Sequence, residues 1–183
     1  MFIKKEKKSY LFFFLFFLNT FVLLLLKYSK MFSSSSKYAI RAVLYLAMLT
    51  KKNGSKNKIL KVGIKKLSED LKIPTFFLGK IMQTLAKNKI LKSHKGPNGG
   101  FSFNKDPNEI SLYEIVKIFD GEDIFNSCIL GLTLCNQKNF NKEDCPFAYE
   151  LDLCVDRINK YLQNTYVGLA AESLNTLNDI FTV

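Results

Sequence analysis

Two short helical patterns separated by three residues constrain the fold of this chain most strongly. Apolar residues indicate one short helix over 64–71, and a second helix, ending near Asn88, has apolar residues at i, i+3, i+4 and i+7: Leu78, Ile81, Met82 and Leu85. Between them stands Lys72-Ile73-Pro74, where the residue before proline avoids helical ψ and the proline suits a first helical turn. This is the spacing of a helix-turn-helix, although an ordinary αα-corner has the same pattern.

A segment dense in turn residues follows the second helix. Ile90–His94 can extend as a strand, Lys95–Gly100 is rich in glycine and proline, and Phe101-Ser102-Phe103 alternates apolar and polar residues. These features predict a β-hairpin with Asn98-Gly99 near its tip. A basic hairpin after a helix-turn-helix is a wing, which lies along the DNA backbone and reaches the minor groove, where lysine is favoured.

Helices are predicted on both sides of this unit. One follows the capping residues Ser33–Ser36, and another starts at Ile110-Ser111-Leu112 and stops at Asp120-Gly121. A long helix opens at Asp144–Pro146, and its apolar stripe consists of Leu151, Cys154, Val155, Ile158 and Leu162. Because this helix lies outside the compact winged unit, we expect its stripe to pack against a second copy of itself. Thr165 or Asn164 is expected to cap one more short helix.

The predicted fold is therefore mostly α with a small β-hairpin wing: a winged helix-turn-helix plus a long dimerisation helix. The predicted divisions are a hydrophobic extension over 1–30, the DNA-binding domain over 31–121, a cysteine loop over 122–145, the dimerisation helix and a short helix over 146–174, and a tail over 175–183.

Residues 1–30 differ from the rest in composition. They hold six Lys and one Glu, a net +5 of the total +11, and the run Tyr10–Leu26 has only three polar residues, near the short limit for a bilayer span. The run fits a membrane anchor, or a secretory signal that lacks a small-x-small cleavage site, or an upstream start wrongly assigned ahead of Met31. We favour the third interpretation, and a membrane is a partner only if residues 10–26 form a genuine helix.

Composition excludes several classes of function. The net charge of +11 points to a polyanionic partner, either nucleic acid or an anionic membrane. The chain has a single His, no glycine-rich phosphate loop and no clustered carboxylates, so we do not expect an enzyme. Four Cys in 183 residues are too sparse for a disulfide scaffold.

Three cysteines fall in the predicted loop. Cys128, Cys135 and Cys145 are separated by six and nine residues, and three thiolates in one loop can converge on a soft metal or a cluster. Paired CxxC motifs are absent, which makes structural zinc a poor match. Three unpaired thiols remain the alternative. Cys154 lies on the apolar stripe, so we expect it to be a buried core thiol.

Five segments together resemble a known family. They are Ser36-Lys37-Tyr38-Ala39-Ile40-Arg41-Ala42, Ile73-Pro74-Thr75-Phe76-Phe77-Leu78, Lys95-Gly96-Pro97-Asn98-Gly99-Gly100-Phe101, Ile110-Ser111-Leu112 and Cys128-Ile129-Leu130-Gly131-Leu132. Residues 31–174 resemble, almost throughout, the IscR/NsrR/CymR-type winged-helix transcriptional regulators of bacteria, the Rrf family. The family normally starts where Met31 stands, which supports Met31 as the initiator.

The resemblance implies a homodimer on a double-stranded DNA operator, with two recognition helices in successive major grooves. Some members bind an iron–sulfur cluster through three loop cysteines and a fourth ligand, which makes Cys128, Cys135 and Cys145 candidates for [2Fe–2S] or [4Fe–4S]. Others sense sulfur metabolites or oxidants through thiols, or through no Cys. The positions of the family's fourth ligand hold Ala148 and Lys37, which cannot serve. The remaining candidates are Glu143, Asp144, Tyr149, Glu150, a partner-subunit group and an exogenous thiol.

The expected function is that of a cytoplasmic, sequence-specific DNA-binding regulator, a repressor, that senses iron–sulfur or redox state. The expected DNA-contacting residues are Thr75 and Phe76 at the start of the recognition helix, Lys80, Gln83, Thr84 and Lys87 off its apolar stripe, Lys95 in the wing and Asn98 at its tip. His94 is expected to be merely solvated. The alternatives are a membrane-tethered DNA-binding regulator and a cluster-free thiol or metabolite sensor.

Overall fold

The computed structural model describes residues 31–52, 60–97, 99–125, 145 and 148–174. Within these ranges the elements are α1 (Ser34–Lys52), α2 (Ile64–Leu71), α3 (Thr75–Lys87), β1 (Leu91–His94), β2 (Gly100–Phe103), α4 (Leu112–Asp120), α5 (Ala148–Asn164) and α6 (Val167–Glu172). Single 3₁₀ turns occupy Pro107–Glu109 and Asp123–Phe125. The predicted fold class, mostly helical with one small hairpin, is confirmed.

Helix α1 forms the centre of the core. Its first turn is capped by Ser33, whose Oγ accepts a hydrogen bond from the Ser36 backbone N–H at 3.1 Å. Ala39, Ala42 and Leu46 are fully buried, and the helix packs against α2, α3, α4 and α6. The small alanines allow these neighbours to approach closely, so one helix organises the elements that carry the candidate site.

The two strands form an antiparallel hairpin in which Leu91 lies opposite Phe103 and His94 lies opposite Gly100. Leu91 and Phe101 face the core and are buried. At the tip, the Gly99 backbone N–H donates to the Gly96 carbonyl at 2.9 Å. Gly96 has φ 101°, a left-handed conformation that glycine adopts without steric cost. The glycines of the predicted turn therefore close the hairpin.

The C-terminal helices return to the same core. Ser111 caps α4 by accepting the Glu114 backbone N–H at 3.2 Å, and the Val167 N–H donates to the Ile110 carbonyl at 2.8 Å. Val167 is fully buried. The predicted caps of α6 are wrong: Tyr166 occupies that position without a side-chain cap bond, because the pairing of this segment with residues 110–112 sets where the helix begins.

The apolar stripe of α5 was predicted to pack against a second copy of the chain, and the structure differs in part. The helix contacts α4 of its own chain, and Leu162 is buried. Leu151, Val155 and Ile158 are half-buried, so the protein's own domain covers part of the stripe that was expected to need a second copy.

No helix among the described residues combines the length and the apolar character needed to cross a bilayer. The run Tyr10–Leu26, on which the three interpretations of the N-terminal extension rest, lies outside the described residues.

Candidate nucleic-acid interface

The turn between α2 and α3 is held by a network centred on Ser68. Its Oγ donates to the Ile73 carbonyl at 2.7 Å and lies 2.7 Å from Thr75 Oγ1. A hydroxyl has one proton, so Ser68, having donated to Ile73, accepts from Thr75. Lys72 supplies the change of direction, with φ 51° and ψ 36° in the left-handed region. The angle between the two helices is therefore set by side chains as well as by Pro74.

Helix α3 has a buried face and an exposed face, as predicted. Its inner face carries Leu78, Ile81, Met82 and Leu85, all of which are buried. Its outer face carries Phe76, Lys80, Gln83 and Lys87, all of which are exposed. The structure therefore brings four of the predicted contact residues to one surface that faces away from the core.

The hydroxyls of Thr75 and Thr84 are less free than their positions suggest. Thr75 Oγ1 donates to Ser68, and Thr84 Oγ1 donates to the Lys80 carbonyl at 3.0 Å. Both protons are engaged within the protein, so these side chains offer lone pairs but no free donor. They can accept from a base amino group but cannot donate to a phosphate unless these bonds break.

The wing carries exposed lysines beside the recognition helix. Lys92 lies on β1 and Lys95 lies at the start of the turn, and both side chains are exposed. Asn98, the predicted contact at the tip, lies outside the described residues. Lys95 therefore has the exposure that a groove-inserted residue needs.

His94 is not merely solvated, which corrects its prediction. Its Nε2 lies 2.9 Å from Ser102 Oγ on the opposite strand, and Ser102 is buried. Desolvation lowers the pKa of His94 from its usual 6.5, and the charges of Lys61 and Lys92 lower it further. The neutral imidazole therefore predominates at pH 7, and the cationic character of the wing comes mainly from lysine.

Positive charge predominates in the segment that contains α3 and the wing. Residues 72–105, which contain α3 and the wing, hold seven lysines and no Asp or Glu. Lys65 and Lys66, in the first turn of α2, are also exposed. Lys105 of the stretch 72–105 pairs with Glu114 of α4, 2.7 Å away. The other six lysines form a concentration of positive charge that attracts a polyanion.

Sequence reasoning missed several residues of this surface. It did not single out Lys65, Lys66, Lys89 or Lys92 as candidates, although all four are exposed. For Lys89 and Lys92 the signal was available as the stretch 72–105, which has no acidic side chain. Ser68 was missed because its role depends on the turn geometry and not on periodicity.

The structure describes two of the four cysteines, Cys145 and Cys154. Cys128 and Cys135 lie outside the described residues, whereas Cys145 is half-buried with a free thiol. Cys154 is free and exposed, so the prediction of a buried thiol is wrong for the single chain. Among the described residues no three His, Cys, Asp or Glu side chains are grouped to hold a metal ion.

The sequence offers suitable side chains for three of the four ligands that an iron–sulfur cluster needs. Thiolates are the usual ligands of such clusters, and the sequence has three candidate thiolates in Cys128, Cys135 and Cys145. Lys37 is exposed in the first turn of α1, and Ala148 begins α5, so neither family position offers a fourth donor. When bound, a cluster would supply a redox-sensitive centre to this segment.

A helix-turn-helix followed by a basic wing defines a class of DNA-binding transcriptional regulators. Residues 32–171 match the family model described as "Rrf2: Iron-dependent Transcriptional regulator", and the chain belongs to this family. It is a DNA-binding transcriptional regulator and not an enzyme, as predicted.

Relatives and solved structures agree with this assignment. A protein of Aquifex aeolicus assigned as an HTH-type transcriptional regulator is 29% identical over 136 residues, covering 74% of this chain and 88% of the relative. The HTH-type transcriptional regulator NsrR of Shouchella clausii is 32% identical over 85 residues, covering 46% and 52%. The fold is shared with CymR (YrzC), the global cysteine regulator of B. subtilis, at a TM-score of 0.62 and 15% identity, covering 78% of this chain and 97% of CymR.

Proposed function

We propose that this regulator is a homodimeric repressor that inserts α3 into the major groove and the wing into the minor groove of its operator. The observation that carries the proposal is the outer face of α3, where Lys80, Gln83 and Lys87 are exposed within a stretch free of acidic residues. Lys95 extends the same positive surface into the wing. Thr75 and Thr84 take part as acceptors, and Asn98 stays a prediction. Acting on chromosomal DNA, the protein is expected to work in the cytoplasm.

A second copy of the chain is proposed to cover the apolar residues that the C-terminal helices expose. Leu153 and Tyr161 on α5 and Leu169 on α6 are exposed by 39%, 67% and 56%. Large apolar side chains exposed on neighbouring elements are typical of an interface. Pairing through α5 sets the distance between two recognition helices, which must lie about 34 Å apart to enter successive major grooves.

The proposed dimer can be tested by changing this apolar surface. Leu153→Glu together with Tyr161→Glu is expected to convert the dimer to a monomer in analytical ultracentrifugation, because both charges would be buried at the interface. Phe76→Glu is the matched control, since Phe76 is also an exposed aromatic residue but lies on α3. A dimer that survives the double substitution contradicts the proposed interface.

Signal sensing is proposed to reside in Cys128, Cys135 and Cys145, which would hold an iron–sulfur cluster whose state alters DNA affinity. The description of the family as iron-dependent and the soft thiolate donors support this proposal. Because α5 begins three residues after Cys145, order imposed on the loop acts directly beside the proposed dimer helix.

DNA binding is tested with duplexes enriched from a random pool by the full chain. We expect an enriched sequence with two symmetric half-sites about 10 base pairs apart. Lys95→Ala should weaken binding by about 1–3 kcal/mol and lower the log–log salt slope by about 0.9 per lost phosphate contact. Lys51→Ala is the control, because Lys51 lies in the last turn of α1 and its Nζ is 3.6 Å from the Glu172 carboxylate. Equal effects of the two substitutions would exclude the wing from binding.

A further inference from the structure

Two adjacent phenylalanines at the start of α3 have different surroundings. Phe77 packs edge-to-face against Tyr38 of α1, with ring centroids 5.5 Å apart. Phe76 turns the other way and is 77% exposed. Single exposed apolar residues are common on protein surfaces, so exposure alone assigns no role to this ring. The position of Phe76 on α3 and the residues around it indicate a role.

Phe76 stands where a recognition helix meets bases. It is the second residue of α3, and the first residues of such a helix contact base edges in the major groove. Gly79, one turn later on the same face, leaves open space: a Cβ built there has no heavy atom within 4 Å. An edge of the duplex can therefore approach the helix surface beside the ring.

Lys80 contacts the Phe76 ring, and the positive charge around the ring favours a polyanionic partner. Its Nζ lies 4.4 Å from the Phe76 ring centroid, within the range of a cation–π contact. The ammonium covers one face of the ring and leaves the rest of it exposed. Because the surrounding stretch 72–105 carries only positive charge, a polyanion matches this apolar spot better than an uncharged protein surface does.

We propose that Phe76 reads the 5-methyl group of a thymine in the major groove, through the space that Gly79 leaves open. The thymine methyl is the one apolar group that the base pairs present in the major groove, and an aromatic side chain is among its known contacts. This inference rests on the proposed function and deepens it by naming the base feature that α3 reads without a hydrogen bond.

The test removes only the methyl group from the DNA. A duplex enriched by the wild-type full chain is resynthesised with deoxyuridine in place of each thymine in turn, which leaves every base-pairing group unchanged. At one thymine of each half-site we expect the wild-type affinity to fall by about fourfold, as for the loss of one buried methyl group. Phe76→Ala should bind the thymine and deoxyuridine duplexes equally, and Phe76→Tyr should keep the difference.

Control variants separate this inference from general DNA binding. Lys87→Ala, on the same helix, should weaken both duplexes while the deoxyuridine difference stays. Circular dichroism should show that Phe76→Ala is folded, since this side chain is largely exposed.

The outcomes of the experiment distinguish the two proposals. If no duplex is enriched at all, the proposed function fails and this inference fails with it. If a duplex is enriched but no deoxyuridine position depends on Phe76, only the inference is overturned. A change of oligomeric state in Phe76→Ala with the deoxyuridine difference intact would instead assign the ring to a protein contact and also overturn it.

Discussion

The Val62 backbone N–H donates to the Phe101 carbonyl, and the Phe101 N–H donates back to the Val62 carbonyl, both at 2.9 Å. Val62 lies two residues before α2, so this pair fastens the wing to the chain that enters the helix-turn-helix. A hairpin of two strands has little stability alone, and the added pair gives it a third partner. The wing and the recognition helix are thereby held in a fixed relation, which binding two grooves at once requires.

The first prediction tests this junction with a pair of glycines. A Cβ at Gly100 would clash with the Val62 carbonyl oxygen, so Gly100→Ala must push β2 away from the segment that enters α2. We expect the free energy of unfolding to fall by about 1–3 kcal/mol, the usual effect of overpacking. Gly79→Ala is the control, with open space around its Cβ, and should stabilise the helix by about 0.5–1 kcal/mol. Unfolding in urea measures both variants. If Gly100→Ala and Gly79→Ala unfold at the same urea concentration, the proposed junction is refuted.

The second prediction concerns the contact between α1 and α2. The Tyr45 hydroxyl donates to Asp70 Oδ2 at 2.6 Å, and the Tyr45 side chain is buried. Tyr45→Phe leaves the carboxylate without this donor and should lower the free energy of unfolding by about 1–3 kcal/mol. Lys51→Ala, which removes an exposed charge at the end of α1, serves as the control in the same denaturation series and should change stability little.

The pH dependence of stability identifies the same contact. Burial and then the hydrogen bond and charge of Asp70 raise the pKa of Tyr45 well above its usual 10.0. A pKa raised on folding means that stability is fully present below pH 10 and is lost as the pH rises toward the folded value. Between about pH 9 and 11, roughly one unit either side of the ordinary value, the wild type should lose stability more steeply than Tyr45→Phe. Parallel curves would show that Tyr45 does not titrate in this way.

The third prediction uses the wing histidine. Desolvation, followed by the charges of Lys61 and Lys92, lowers the pKa of His94. DNA phosphates placed near these lysines would offset their repulsion, so binding should raise that pKa and take up a proton. We therefore expect operator affinity to rise as the pH falls from 8 toward 6, and His94→Gln to remove this dependence. Operator affinity is measured by DNA titration at several pH values and constant ionic strength. The prediction is contradicted if the affinities of the wild type and His94→Gln change equally with pH.

Much of the DNA-binding unit could be predicted because its signals are local. Pro74 marks the helix-turn-helix, the glycines of residues 96–100 mark the wing, and Ser111 marks the start of α4. Each of these residues acts within a few positions of itself, through its own backbone geometry or one capping bond. Helical periodicity is also a local signal, and it correctly predicted that Lys80, Gln83 and Lys87 lie on the exposed face of α3.

The contacts that were not predicted depend on residues far apart or on exact register. Ser102 meets His94 because Gly100 lies opposite His94, which makes Ser102 a diagonal neighbour on the opposite strand, and a register cannot be read before the turn is known. Cys154 was assigned to a buried stripe, but which side of α5 packs on its own domain depends on α4. Helical periodicity identifies an amphipathic helix without identifying what covers each face.

The last prediction concerns the cysteines. If Cys128, Cys135 and Cys145 hold an iron–sulfur cluster, replacing any one by Ala removes one of the three thiolates on which the proposed site depends. Each variant, purified anaerobically as the full chain, should lose iron, sulfide and visible absorption, and its operator affinity should no longer respond to oxidants. Cys154→Ala is the matched control: its thiol is free and exposed on α5, nine residues beyond Cys145, and iron content should be unchanged. Loss of iron in Cys154→Ala alone would move the site to the helix. Wild-type protein without iron or sulfide, whose affinity still responds to thiol oxidation, would replace the cluster with direct sensing by these thiols.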